Sequence, residues 1–238
     1  METKYLEWDS DFFGVNVFLA KPGNDGGSFS RELKTLMDSG KADLIYVYSE
    51  PSLDTINKEI EALGGILYDS KVIYHKKLQP AKIDTPVGDI IEYHGDMTPR
   101  LRDLAVYAGE FSRFKLDPLL NTKFEELYSM WMKNSLNGKL ADKVFVAMDK
   151  EEIAAVITCK KHPGYGNIGL LSVAENQRGK GLGRKLVQAA ENWYTSNGLS
   201  ESTVVTQLKN KMACLFYENV GFTVDKIENV YHLRRNNV

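Results

Sequence analysis

Residues 170–187 read LLSVAENQRGKGLGRKLV, and the reading of this stretch decides the fold. It opens on an apolar run, crosses a polar stretch dense in glycine and arginine, and closes on a helical pattern. Apolar residues recur there at Leu182, Leu186, Ala190 and Trp193, so a strand feeds a turn and then a helix. Gly179, Gly181 and Gly183 carry no β-carbon, which lets successive backbone N–H groups point at one spot. Those groups lie at a helix N-terminus, where the partial positive charge favours anions. Arg178, Lys180 and Arg184 add charge around the rim. The pattern is neither the dinucleotide-binding GxGxxG nor a P-loop, which would need GK[ST]. It reads as a phosphate cradle, in preference to a plain glycine-rich turn.

Outward from the cradle, the chain alternates short strands and helices. On its C-terminal side, STVVTQ (202–207) predicts a strand, 212–219 a helix and GFTVDKIENVYHLRR (221–235) a hairpin. On its N-terminal side, 167–173 is a strand, and KVFVAMDKEEIAAVITCK (143–160) is two strands around a polar turn at 149–152. Helices are expected over 98–109 and 122–136, and a strand over 89–93. QPAKIDTPVGD (79–89) has the composition of a linker. It divides an N-terminal α/β domain (1–80) from a larger one (88–238). The first third predicts a strand at 15–20, a helix at 28–37, a strand in ADLIYVYS (42–49), a helix in SLDTINKEIEALGG (52–65) and a hairpin in ILYDSKVIYHKKL (66–78). Shifted by 157 residues, 42–78 overlies 199–235 without a gap, Gly64 meeting Gly221 and Tyr74-His75 meeting Tyr231-His232. Leu53 and Ile60 stand where Asn210 and Tyr217 stand later, so the earlier segment reads as a degenerate, structural copy.

The 238 residues suit one large domain or two small ones, and 43% hydrophobic content is enough for a packed core. A net charge of -2 offers no basic field to draw nucleic acid or an anionic membrane. Cys159 and Cys214 lie far apart, which argues against a disulfide scaffold or structural zinc, and the four histidines show no metal-ligand spacing. No metal is expected. The N-terminus lacks the apolar core of a signal peptide and no stretch approaches a membrane span, so a soluble cytoplasmic protein is expected.

A second constellation lies in VVTQLKNKMACLFYENVGF (204–222). Asn210, Cys214 and Tyr217 share one helix stripe, while Ala213, Phe216 and Val220 share another that should face the core. Asn210 can be a ligand contact or a helix N-cap. Cys214 is read as a small hydrophobe in preference to a nucleophile.

Together the two stretches resemble the GNAT acyltransferase superfamily, whose acetyl-CoA motif, Arg/Gln-x-x-Gly-x-Gly/Ala after a strand, is matched by Arg178, Gly181 and Gly183. The resemblance implies a mixed, mainly antiparallel GNAT sheet flanked by helices, the N-terminal domain being a degenerate half GNAT unit. It implies acetyl-CoA as co-substrate, its pyrophosphate on the amides of residues 179–184, including Leu182. The preceding strand would splay so that Leu171 and Val173 meet the pantetheine arm and the thioester carbonyl. Asn210 would contact CoA, and Tyr217 would sit near the thioester sulfur, where a phenol can give the departing thiolate a proton or a hydrogen bond.

Five segments narrow the resemblance: LEWDSDFFGVNVF (6–18), FSRFKLDP (111–118), IGLLSV (168–173), the 204–222 stretch and YHLRR (231–235). Together they are similar to the TDP-fucosamine acetyltransferase family, which acetylates the 4-amino group of a dTDP-4-amino-4,6-dideoxyhexose for surface polysaccharide synthesis. The implied partner is a small nucleotide-sugar acceptor, with a homodimer left open; a different amine (a protein N-terminus, polyamine or antibiotic) and a non-catalytic acyl-CoA-binding module are the alternatives. Ser112, Arg113 and Phe114 could meet its pyrophosphate and rings, since an arginine fork binds phosphate bidentately. A surface arginine beside a core phenylalanine is the equal alternative. Trp8, Phe12 and Phe13 are expected in the N-terminal core, in preference to a sugar platform. The resemblance also implies an acidic residue at Asp69, in the expected hairpin, acting on the amine through water, with a solvated turn aspartate as the equal alternative.

Overall fold

The computed structural model describes residues 1–23, 28–79 and 89–235. In chain order the first half holds β1 (Glu2–Tyr5), α1 (Glu7–Phe13), β2 (Val17–Lys21), α2 (Phe29–Asp38), β3 (Leu44–Ser49), α3 (Asp54–Ala62), β4 (Ile66–Lys77), β5 (Ile90–Glu92), α4 (Pro99–Ala108), α5 (Arg113–Leu116) and α6 (Phe124–Leu136). The second half holds β6 (Lys143–Asp149), β7 (Glu152–His162), β8 (Tyr165–Val173), α7 (Leu182–Ser196), β9 (Glu201–Gln207), α8 (Lys211–Asn219) and β10 (Thr223–Arg234). Most of the expected linker, 80–88, lies outside the described residues.

The chain forms two compact units. Unit one takes Met1–Val72, Gln207–Lys209 and the chain from Lys226; unit two takes Ile73–Thr206 and Asn210–Asp225. In unit one the strands follow the order β1, β2, β3, β10, β4. β2 and β3 are parallel, as their crossover through α2 requires, while β1 pairs antiparallel with β2 and β10 with β3. One face is closed by Phe29, Leu33 and Met37 of α2 and Ile60 of α3 over Ala20, Ile45, Val47, Tyr231 and Leu233. In unit two the order is β4, β9, β8, β7, β6, β5, antiparallel from β8 to β5 and parallel between β8 and β9. α4 and α6 pack together and α7 lies on β6, β7 and β8. The fold is thus α/β with mostly antiparallel sheet flanked by helices.

Two expected hairpins are corrected: 66–77 and 223–234 are each one strand of 12 residues. The polar pair Asp69-Ser70 looks like a turn, but tertiary partners hold it extended. The Ser70 carbonyl accepts from the N–H of Leu208 at 2.8 Å, and its hydroxyl donates to Asn229 Oδ1 at 2.9 Å. Trp8 is corrected too: it is 49% exposed and stacked on Phe12 at 5.0 Å. The buried residue of α1 is Ser10, whose hydroxyl donates to the Leu6 carbonyl and accepts from Val17 N–H, so this short helix is anchored by polar contacts.

The 157-residue shift carries element bounds onto one another. α3 falls on α8 and β4 on β10 residue for residue, and Gly64 (φ 90°) falls on Gly221 (φ 93°).

Candidate active site

β8 and β9 pair only at Gly166–Ile168 with Ser202–Val204, after which β8 runs on to Val173 without rejoining its neighbour. A bulge strengthens the divergence. Against β7, Leu171 pairs with Ile157 and Ile168 with Cys159, so three steps on β8 meet two on β7. The Thr158 hydroxyl fills the mismatch, accepting from Leu170 N–H at 2.8 Å. From Gly169 onward, one backbone edge of β8 is therefore open beside the half-buried Leu171 and Val173.

The cradle follows directly. Gly179 and Gly181 both sit at φ 78°, the left-handed region that a β-carbon penalises. Gly181 caps α7 without a side chain, so the first N–H groups of that helix, those of Leu182, Gly183 and Arg184, have no intrahelical acceptor. Gly183 serves a close approach: a β-carbon there would lie 3.2 Å from the Phe216 ring and 3.7 Å from Val173 Cγ2. The arginines and lysine of the motif are held by neutral groups. Arg178 lies over the Tyr107 ring at 4.4 Å and donates to the Val173 carbonyl at 3.4 Å. Lys180 donates to Gln177 Oε1 at 2.6 Å, and Arg184 to the Asn219 carbonyl at the end of α8 at 3.1 Å. Among the described residues none of the three is in an ion pair, so open amides and three uncompensated cations face one turn. Such an arrangement suits a polyanion such as a pyrophosphate.

α8 completes the arrangement in unit two. Asn210 is its N-cap, accepting from Ala213 N–H at 3.1 Å. Cys214, Tyr217 and, just past the helix, Val220 are buried, while Ala213 and Phe216 are only partly buried, so the expected core face holds at Val220 alone. Tyr217 packs between Phe216 at 5.3 Å and Phe222 and Tyr74, each at 5.8 Å. Burial, with Cys214 as the lesser cause, holds its phenol far above the ordinary value. The group keeps its proton.

Ser112, Arg113 and Phe114 form the start of the one-turn helix α5, just beyond α4 and its Tyr107. The Arg113 guanidinium lies 4.1 Å over the Phe114 ring, and the buried Ser112 hydroxyl has no hydrogen-bond partner among the described residues. Asp69 belongs to unit one, 3% exposed within β4, so neither a hairpin nor a solvated turn holds it. Sequence reasoning missed Tyr107 and Thr158, because a ring beneath a distant arginine and a hydroxyl filling a bulge leave no local pattern. No group of three His, Cys, Asp or Glu among the described residues is placed to hold a metal ion.

Residues 111–222 match the model of the Acetyltransferase (GNAT) family. The dTDP-fucosamine acetyltransferase of Escherichia coli is 24% identical over 222 residues, 92% of either chain. The N-alpha-acetyltransferase 30 of Schizosaccharomyces pombe is 29% identical over 109 residues, 44% of this chain and 73% of that one. For the Xenopus laevis protein of the same name, 30% identical, the aligned part is 46% of its length. A GCN5-related N-acetyltransferase from Sphaerobacter thermophilus shares the fold with a TM-score of 0.64 at 17% identity, covering 99% of this chain and 77% of that one. The chain carries a GNAT acetyltransferase domain, and its chemistry is that of an acyltransferase.

Proposed function

We propose that the protein moves an acetyl group from acetyl-CoA to the amino group of a nucleotide-linked amino sugar, a dTDP-4-amino-4,6-dideoxyhexose, by direct attack. One observation carries the acceptor: the sugar-nucleotide relative aligns over 92% of this chain, unit one included, whereas the fission-yeast protein acetyltransferase aligns over 44%. The cradle at 179–184 takes the CoA pyrophosphate, the open edge of β8 takes the pantetheine arm, and Asn210 stands at the mouth of α8. Ser112, Arg113 and Phe114 offer a free hydroxyl, a cation and a ring to the acceptor.

The neutral amine attacks the thioester carbon, a C–N bond forms and the C–S bond breaks, while the proton shed by the amine nitrogen passes through water to the departing CoA sulfur, which leaves as the free thiol. An N–H of the open β8 edge stabilises the oxyanion. Tyr217 meets the departing sulfur. A phenol raised by burial gives up its proton reluctantly to a thiolate of pKa about 8.5, so Tyr217 acts chiefly as a hydrogen-bond donor to the leaving sulfur. Holding the two reactants in attack geometry supplies much of the remainder.

The relatives that acetylate protein N-termini support a second reading, a peptide acceptor. Thiol release from acetyl-CoA with dTDP- and UDP-linked 4-amino-sugars, a peptide N-terminus, spermidine and an aminoglycoside separates the two. Selective turnover of the dTDP sugar is expected. Turnover of the peptide alone would replace the sugar reading and leave the cradle untouched.

A further inference from the structure

We propose that Tyr74 is a positioning residue for Tyr217, fixing the last turn of α8 through its buried hydroxyl. The inference rests on the role given to Tyr217 above. Tyr74, on β4 and 1% exposed, meets α8 at three positions within one helical turn. Its hydroxyl donates to Glu218 Oε1 at 2.9 Å, the Cys214 thiol lies beside the same hydroxyl, and its ring stands 5.8 Å from that of Tyr217. Glu218 is otherwise exposed, so the bond to Tyr74 ties a solvent-facing residue to the sheet. Tyr217 itself packs against the rings of Phe216 and Phe222, and such contacts resist sliding less than a directed hydrogen bond does. A donor that must meet a sulfur within a few tenths of an ångström needs its helix held in register.

Unit one supplies an internal control. Under the 157-residue shift Tyr231 takes the place of Tyr74, and its hydroxyl donates to Glu61, the counterpart of Glu218, at 3.4 Å. The counterpart of Tyr217 there is Ile60. The same strand-to-helix tie thus occurs once beside a reacting group and once without one. Loss of the tie at Tyr231 measures its structural worth alone.

The test compares Tyr74→Phe, Glu218→Ala, Tyr231→Phe, Tyr217→Phe and the double variant Tyr74→Phe/Tyr217→Phe in steady-state turnover of acetyl-CoA. Tyr74→Phe and Glu218→Ala are expected to lower kcat about five- to tenfold while the KM for acetyl-CoA stays within about twofold. The double variant should turn over no more slowly than Tyr217→Phe, because a residue acting only through Tyr217 has nothing left to position. Tyr231→Phe should keep full kcat. An unchanged kcat in Tyr74→Phe, losses that multiply in the double variant, or an equal loss in Tyr231→Phe would overturn the proposal. Should Tyr74→Phe fail to fold, Glu218→Ala, at an exposed position, carries the same comparison. Full turnover by Tyr217→Phe removes the donor role and this inference with it; an impaired Tyr217→Phe beside an intact Tyr74→Phe removes the inference alone.

Discussion

Gly181 and Gly183 are both motif glycines, yet they answer to different forces, and substitution should tell them apart. An alanine at Gly181 meets nothing within 4 Å, so its cost is backbone strain at φ 78°, about 1–2 kcal/mol. An alanine at Gly183 has ordinary φ but presses on Phe216, the neighbour of Tyr217. Gly181→Ala should therefore lower thermal stability and acetyl-CoA affinity with kcat little changed, whereas Gly183→Ala should also lower kcat. Calorimetry beside initial rates reads both. The buried phenols make a pH prediction. Tyr74, Tyr194 and Tyr217 are all raised above the unfolded value, chiefly by desolvation. The stability linked to them is fully present below about pH 10 and is lost as pH climbs higher, since the unfolded chain then releases protons that the folded one retains. A urea midpoint flat to about pH 9 and falling beyond 10 is expected, with no tyrosine limb in kcat below that point. Cys159, fully buried and pushed up to about 12, should resist alkylation until the chain unfolds.

At the scale of elements, the splay of β8 depends on its bulge, and the bulge on Thr158. Thr158→Val keeps the shape but leaves Leu170 N–H without its acceptor, which should cost about 1–3 kcal/mol. Hydrogen exchange should show the amides of residues 169–173 protected on adding acetyl-CoA to the wild type; no gain in protection would contradict the use given to the open edge. Here the sequence speaks clearly in places. The turn at 149–152, the helix after the cradle and the strand at 44–49 were legible because period and punctuation agree locally. β4 and β10 were not, because twelve residues exceed the usual strand and their midpoints carry Asp69-Ser70 and Lys226-Ile227-Glu228, which locally resemble turns. Their extension is enforced by partners remote in sequence, Leu208 and Asn229 for the first, the edge of β3 for the second. Likewise Gly179, Gly181 and Tyr217 announce themselves through spacing, whereas Tyr107 beneath Arg178 is a product of the fold alone.

For the whole molecule, the informative fact is which residues complete which unit. The core of unit one takes Tyr231 and Leu233 from the far end of the chain. Burying two such side chains contributes roughly 3–6 kcal/mol, a large share of the net stability of a small fold. A fragment of residues 1–80 should therefore lack a cooperative melting transition, and a peptide of residues 223–235 added to it should restore one, followed by circular dichroism. Cooperative unfolding of the fragment alone would show that the C-terminal strand is dispensable to it.

That borrowing has a consequence on the ribosome. A core begun by the first 72 residues stays unfinished until Lys226 to Arg234 leave the exit tunnel. At ordinary elongation rates this is a delay of roughly ten to thirty seconds, during which Phe29, Leu33, Ile45 and Val47 wait uncovered. The segment made earlier is the one that matures later, so the nascent chain should be a client of ribosome-associated chaperones, and a stall just before the codons of 226–234 should be costlier than one within those of 1–72.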